Sequence, residues 1–309
     1  MIDAFDIPRE ILPALAPSGT PIGTVSQDFC QQTGVTPGTV VVTGGFDQAM
    51  AALGSGISKP GEAVLSLGTW EALTVLLPKQ PRPNELQQYG ISVGNHVLPN
   101  QHYAMATNPN GGAAPWIGSL NDATGSVRSV PELLKEVDDG PSQLTVVPDL
   151  FGTYTPWMTQ NSSAIIAGIR PTTKAGDFLK GFLESVAFDH RESILRLEAA
   201  GVTVGEVRVT GGGSQSRRLL QIKADALGRP ITPVKEAEVG CIAAAALAGE
   251  AVGAFGSAVE LIASIAVVRE PLFPREDLSN EYAEAFNRYK RLRTSFQLEA
   301  PNQLQHSEG

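Results

Sequence analysis

Cysteine is nearly absent: the 309-residue chain has two, Cys30 and Cys241, far apart and outside any Cys-x-x-Cys or Cys/His grouping. A disulfide framework or a zinc site needs several such residues at short spacing, so neither is indicated. The four histidines, His96, His102, His190 and His306, show no metal-ligand spacing and no neighbouring nucleophile motif. They read as surface or satisfied core residues, and no protein-held metal is expected. Positive charge is also scarce. Lys and Arg number 23 against 32 Asp and Glu, a net charge of −9, and they are dispersed, so no surface would collect the phosphates of a nucleic acid. Long apolar runs are missing too. The most apolar segment, residues 241–255, is Ala-rich and interrupted by Glu250; it falls short of the roughly 20 residues of a membrane span and reads as a packed helix. The first residues, Met-Ile-Asp-Ala-Phe-Asp, lack the basic and apolar regions of a signal peptide, which makes the cytoplasm the expected location.

What is present suits an α/β protein. The chain is 42% apolar, enough for about two domains with their own cores, and strand and helix signals alternate along it. A short β piece at 21–25, a helix capped by Ser26, a strand at 39–43 and a helix at 46–52 come first. Pro60-Gly61 turns into residues 63–77, whose alternation predicts a hairpin, and prolines between 78 and 83 mark an exposed loop. Residues 91–107 read as a second hairpin turning near Pro99-Asn100. A loop at 108–112 precedes an amphipathic stretch from Ala113. A helix starts near Asp177 and ends before Gly201, the residue expected at its C-terminal cap. A strand at 206–210, a turn at 211–213, a helix from 216 to 227 ended by Gly228, a strand at 231–234, a helix from 238 and a charged helix over 282–296 complete the order.

The most informative stretch runs from residue 39 to 69. A β-branched run ends in Gly44-Gly45 and delivers Phe46-Asp47-Gln48 where a helix begins; a strand then breaks at Gly68-Thr69. This places a carboxylate and an anion-accommodating loop one helix apart, at strand tips where α/β sheets bind ligands. Further on come Ala164-Ile-Ile-Ala-Gly-Ile169, Asp177-Phe-Leu-Lys-Gly-Phe-Leu-Glu184 and Val209-Thr-Gly-Gly-Gly-Ser-Gln-Ser216. Together these resemble the FGGY family of carbohydrate kinases, departing from it at Gly181, where Ala or Ser is usual, and at Trp70, where small or polar residues are common. The resemblance implies an actin-like ATPase (ribonuclease H-like) fold, with two domains closing on a nucleotide.

It also implies roles. Asp47 is the catalytic base that takes the acceptor hydroxyl's proton while orienting its oxygen toward the γ-phosphorus. Asp47 and Gln48 hold the sugar or polyol; Gln48 offers both donor and acceptor. Gly68 and Thr69 meet ATP phosphates, and Gly211, Gly212, Gly213 and Ser216 approach the adenine, glycine allowing close backbone contact. Read from spacing alone, Asp47 is more readily the cap of the following helix, Gly68-Thr69 an ordinary strand end, and Gly211 to Gly213 a tight strand-to-helix turn. ATP and Mg2+ are the implied cofactors.

The resemblance begins late: no Asp-x-Gly-Thr phosphate loop precedes Asp47. Residues 1–57 are therefore expected to be the tail of a first domain and residues 58–309 a complete nucleotide-binding second domain. The reaction expected is transfer of the γ-phosphoryl group of Mg-ATP to a hydroxyl of a monosaccharide or polyol, and the chain alone is expected to be inactive. The alternative is a non-catalytic derivative that binds nucleotide or a partner. The run Thr39-Val-Val-Val-Thr43 reads as a buried strand from the centre of a parallel sheet. Residues 1–57 should then be mobile, or buried against a second copy or a missing amino-terminal domain.

Overall fold

The computed structural model describes residues 2–78, 83–119, 128–158, 163–236 and 238–299. The chain opens with a small unit of strand β1 (Pro21–Thr24), helix α1 (Gln27–Thr33) and strand β2 (Val40–Val42). The Ser26 hydroxyl accepts from Phe29 N at its cap, and Gly34 ends α1 in the left-handed region at φ 75°. Here the expectation of a buried central parallel strand fails: β2 pairs antiparallel with β1 in a two-stranded ribbon, and Val40 and Val41 are more than a third exposed. Helix α2 (Asp47–Gly54) follows.

The main sheet begins with the hairpin β3 (Ala63–Leu67) and β4 (Glu71–Leu77). Of the proline-marked loop, residues 79–82 lie outside the described residues; Pro83 itself opens the short helix α3 (Pro83–Gln87). The second hairpin, β5 (Ser92–Asn95) and β6 (His102–Asn108), turns through Asn100 at φ 57°. Residues 109–112 form a 3-10 turn leading into α4 (Ala113–Ser119), and α5 (Val130–Leu134) comes next. A separate two-stranded piece, β7 (Thr145–Val147) with β8 (Ile165–Ala167), precedes the long helix α6 (Ala175–Ala199). Then come β9 (Val207–Thr210), α7 (Arg217–Leu227), β10 (Ile231–Pro233), α8 (Val239–Ala251), α9 (Ala258–Ile265) and α10 (Ser279–Glu299).

The six-stranded sheet has the order β10-β9-β3-β4-β6-β5, with β10, β9 and β3 parallel and the remaining neighbours antiparallel. Side chains alternate between its faces, as the two-residue period of a strand demands. Ala63, Leu65 and Leu67 join Leu179, Phe182, Leu219 and Leu220 of α6 and α7 in one core. Val64 and Leu76 join Ala49 and Leu53 of α2, Ala243 and Leu247 of α8, and Ile262 of α9 in the other. Helix α2 thus lies on the far face of the sheet from α6. Gly181, where the family usually has Ala or Ser, has a packing reason: a Cβ there would stand 2.8 Å from Val146 Cγ2.

A buried carboxyl on α6 gives the fold a pH dependence. Glu184 accepts from Ser142 N at 2.9 Å and Tyr282 Oη at 3.0 Å, with Lys180 Nζ 4.0 Å away. Burial dominates these contacts and raises its pKa to about 7. The folded chain therefore holds this proton more tightly than the unfolded chain does. Its contribution to stability is complete below pH 4.5 and falls as pH rises toward 7. Thermal melts from pH 5 to 8 should show this loss, roughly 3 kcal/mol, and Glu184→Gln should flatten it; an unchanged slope in the variant would refute the assignment.

Candidate functional site

Because β3 and β9 run parallel, the loops that leave them emerge at the same edge of the sheet. These are residues 68–70 and residues 211–216. Glycine is required at their contact. Gly211 sits at φ 87°, and a Cβ on it would lie 2.7 Å from Leu67 O; a Cβ on Gly213 would lie 2.9 Å from Leu67 Cβ. Gly212 differs, since a Cβ there meets nothing within 4 Å: its surface faces open space. Ser216 caps α7, its Oγ accepting from Leu219 N at 3.3 Å, so the positive end of the α7 dipole points toward this edge.

A third loop, read from the sequence only as a connection, completes the crevice. Gly112 N donates to Thr69 O at 2.8 Å, and a Cβ on Gly111 would come within 2.3 Å of Gly68 O. Two adjacent glycines in the turn that follows a strand are the signal for such an approach. Trp70 stands edge-on to Tyr154 with centroids 4.8 Å apart, and both rings are substantially exposed at the rim.

Asp47 and Gln48 open α2. The cap position is Phe46, so Asp47 is the first helical residue rather than the cap. Its carboxylate is exposed and accepts a bond from its neighbour's amide, Gln48 N, at 2.7 Å. Gln48 Oε1 accepts from Ser66 Oγ at 3.1 Å, which ties this end of α2 to the end of β3 just before Gly68. The β5–β6 hairpin grips the same helix start. Phe46 stacks on Tyr103 with centroids 6.3 Å apart, and a Cβ on Gly45 would strike Val97 Cγ1 at 2.2 Å. Burial, and then the Asp47 charge, raise the Tyr103 pKa. On the same turn His96 is buried, and desolvation lowers its pKa to about 4; it is a core residue, though its Nε2 has no hydrogen-bond partner among the described residues rather than being satisfied as expected.

The structure therefore brings Asp47 and Gln48, Gly68 and Thr69, and Gly211, Gly212, Gly213 and Ser216 to one edge of one sheet. Among the described residues no group of three or more His, Cys, Asp or Glu could hold a metal ion, and no helix is long and apolar enough to cross a membrane.

Comparison with known proteins fits this arrangement. Residues 63–252 match the C-terminal domain of the FGGY family of carbohydrate kinases, and residues 1–54 match its N-terminal domain; the likeness is thus not confined to the carboxy-terminal part of the family. The chain is 27% identical over 288 residues to xylulose kinase of Staphylococcus epidermidis, covering 92% of this chain and 57% of that protein. It is 30% identical over 261 residues to glycerol kinase of Citrifermentans bemidjiense, covering 82% of this chain and 50% of the relative. Among solved structures, xylulose kinase from Brucella ovis superposes with a TM-score of 0.82 at 25% identity, over 96% of this chain and 60% of that one. Glycerol kinase from Plasmodium falciparum, crystallised with ADP, shares the fold with a TM-score of 0.77 at 18% identity, over 94% and 58%. The sheet is therefore that of the actin-like ATPase fold, and the chain spans about half to three-fifths of the length of these relatives. With both family domains matched and the glycine-lined crevice in place, the chain belongs to the FGGY family of carbohydrate kinases.

Proposed function

We propose that this chain supplies the nucleotide-binding wall and the catalytic base of an ATP-dependent carbohydrate kinase acting on a monosaccharide or polyol. The observation that carries this is the Gln48–Ser66 bond of 3.1 Å, which ties the first turn of α2, where Asp47 is exposed, to the end of β3 two residues before Gly68. In this reading the division falls between residues 57 and 58, and the protein works in the cytoplasm. The phosphate chain would lie along the backbone of residues 68–69, 111–112 and 211–213, where the glycines let the three loops approach one another and Gly212 faces open space. The Ser216 hydroxyl oxygen caps α7 and its proton remains available for the base edge. Asp47 takes the proton from the acceptor hydroxyl as the oxygen–phosphorus bond forms and the bond to the β,γ-bridging oxygen breaks, releasing ADP. Mg2+ would enter with the phosphates, held mainly by their oxygens and water, and would neutralise charge developing on the transferred group.

Gly212→Val tests the assignment. Its Cβ meets no protein atom, so the fold should melt as the parent does while ATP affinity, measured by calorimetry, falls about tenfold or more. Unchanged affinity would remove the nucleotide from this crevice. Phosphoryl transfer rests on positioning and charge stabilisation, and one wall provides neither. The 309-residue chain alone should therefore give no turnover with pentoses, hexoses or glycerol in a coupled ADP assay. Robust turnover would show that these residues suffice.

A further inference from the structure

The three loops of the crevice share one buried root. Glu71 follows residues 68–70 directly, opens β4 and is 4% exposed. Both its carboxylate oxygens lie 2.7 Å from Lys223 Nζ, and Lys223 stands two turns into α7, the helix capped by Ser216. His190 Nε2, from the middle of α6, lies 3.2 Å from Glu71 Oε2 and donates to it. The preceding residue, Asp189, accepts from Asn108 Nδ2 at 2.7 Å. Asn108 Oδ1 in turn accepts from Asn110 N at 2.9 Å, and Gly111 comes next. Adjacent residues of α6 thus hold the roots of two loops, while Glu71 and Lys223 join the first loop to the helix of the third.

Burial works to raise the Glu71 pKa, but the Lys223 charge and the His190 hydrogen bond outweigh it and hold the carboxyl below its usual range. The group is an anion clamped from two helices. Burying such a pair is poorly explained by stability, because apolar side chains of similar volume commonly pack as well or better. What an ion pair with two-sided hydrogen bonding does supply is a fixed distance and direction.

We propose that Glu71, clamped by Lys223 and His190, is a positioning residue that fixes the loop at 68–70 against the loops at 108–112 and 211–216. Resting on the nucleotide reading above, the same brace sets the width of the crevice for the phosphate chain.

The test is the double variant Glu71→Gln/Lys223→Met, which removes both buried charges and leaves an amide oxygen for His190. Hydrogen exchange at Gly112 N reads the loop contact directly, through its bond to Thr69 O. This amide should exchange about tenfold faster while the buried β3 and β4 amides keep parental protection. Should the double variant not fold, Lys223→Arg, which keeps the charge and changes its reach, carries the same expectation. Unchanged exchange at Gly112 in the folded variant would overturn the proposal, leaving the pair as packing. A second arm separates the two readings: ATP added to the parent should slow exchange at residues 68–70, and less so in the variant. Loosened loops with undiminished ATP protection would support the brace and count against its role in setting the crevice width. No ATP protection in the parent would count against the nucleotide reading alone.

Discussion

Asp47→Asn should lower turnover about 10²- to 10⁴-fold, the range general-base catalysis supplies, in an enzyme of full family length that carries this chain. ATP affinity should stay within about twofold of the parent, because in the proposed reading the base acts on the acceptor hydroxyl and not on the nucleotide. The structure makes the substitution clean. Asp47 is exposed, is not the cap of α2, and its carboxylate accepts the Gln48 amide, a bond the asparagine oxygen reproduces. The fold has little reason to respond. A second readout comes from Tyr103, whose pKa is raised by burial and further by the Asp47 charge; spectrophotometric titration should find it lower in the variant. Near-parental turnover with the Tyr103 shift present would mean that the carboxylate is placed as described but takes no proton.

Gly54→Ala should destabilise the fold despite adding only one methyl group. A Cβ there would fall 1.8 Å from Val239 O and 2.6 Å from Val239 C, both backbone atoms of α8, so no rotamer change relieves the clash. Alanine favours a helix over glycine by up to about 1 kcal/mol, and overpacking typically costs about 1–3 kcal/mol and occasionally more. The clash should outweigh the propensity gain, so the net change should be destabilising. Urea denaturation should give a lower midpoint for the variant. A neutral or stabilising result would show that the helices part without cost, and that Asp47 is less firmly placed than Gln48–Ser66 implies.

Much of the fold could be read from residue order. The hairpins at 63–77 and 91–107, the Ser26 cap and the helix ends at Gly201 and Gly228 all rest on local rules of period and backbone sterics. Three valines in a row, by contrast, say that a strand exists and not what it pairs with, and here they form a half-exposed antiparallel ribbon. Strands β7 and β8 lie outside the stretches whose strand and helix signals the sequence set out in order. The candidate site divides the same way. Asp47, Gly68 and Gly212 stand in short motifs, whereas the contact of Gly112 with Thr69 and the meeting of Glu71 with His190 and Lys223 join residues as many as 152 positions apart. Nothing local announces such contacts, since only the folded sheet brings them together.

Gly54 and Asp47 occupy opposite ends of α2, an eight-residue helix and hence about 12 Å long. Pinned by backbone contact at one end, the helix is a lever with its pivot at Gly54 and the carboxylate at its tip. Rocking it by about 10° would sweep that tip roughly 2 Å, more than a near-attack alignment tolerates. The Gln48–Ser66 bond and the Phe46–Tyr103 stack hold that tip against such a swing, so in the reading proposed above the base keeps its aim only while both ends of α2 stay fixed.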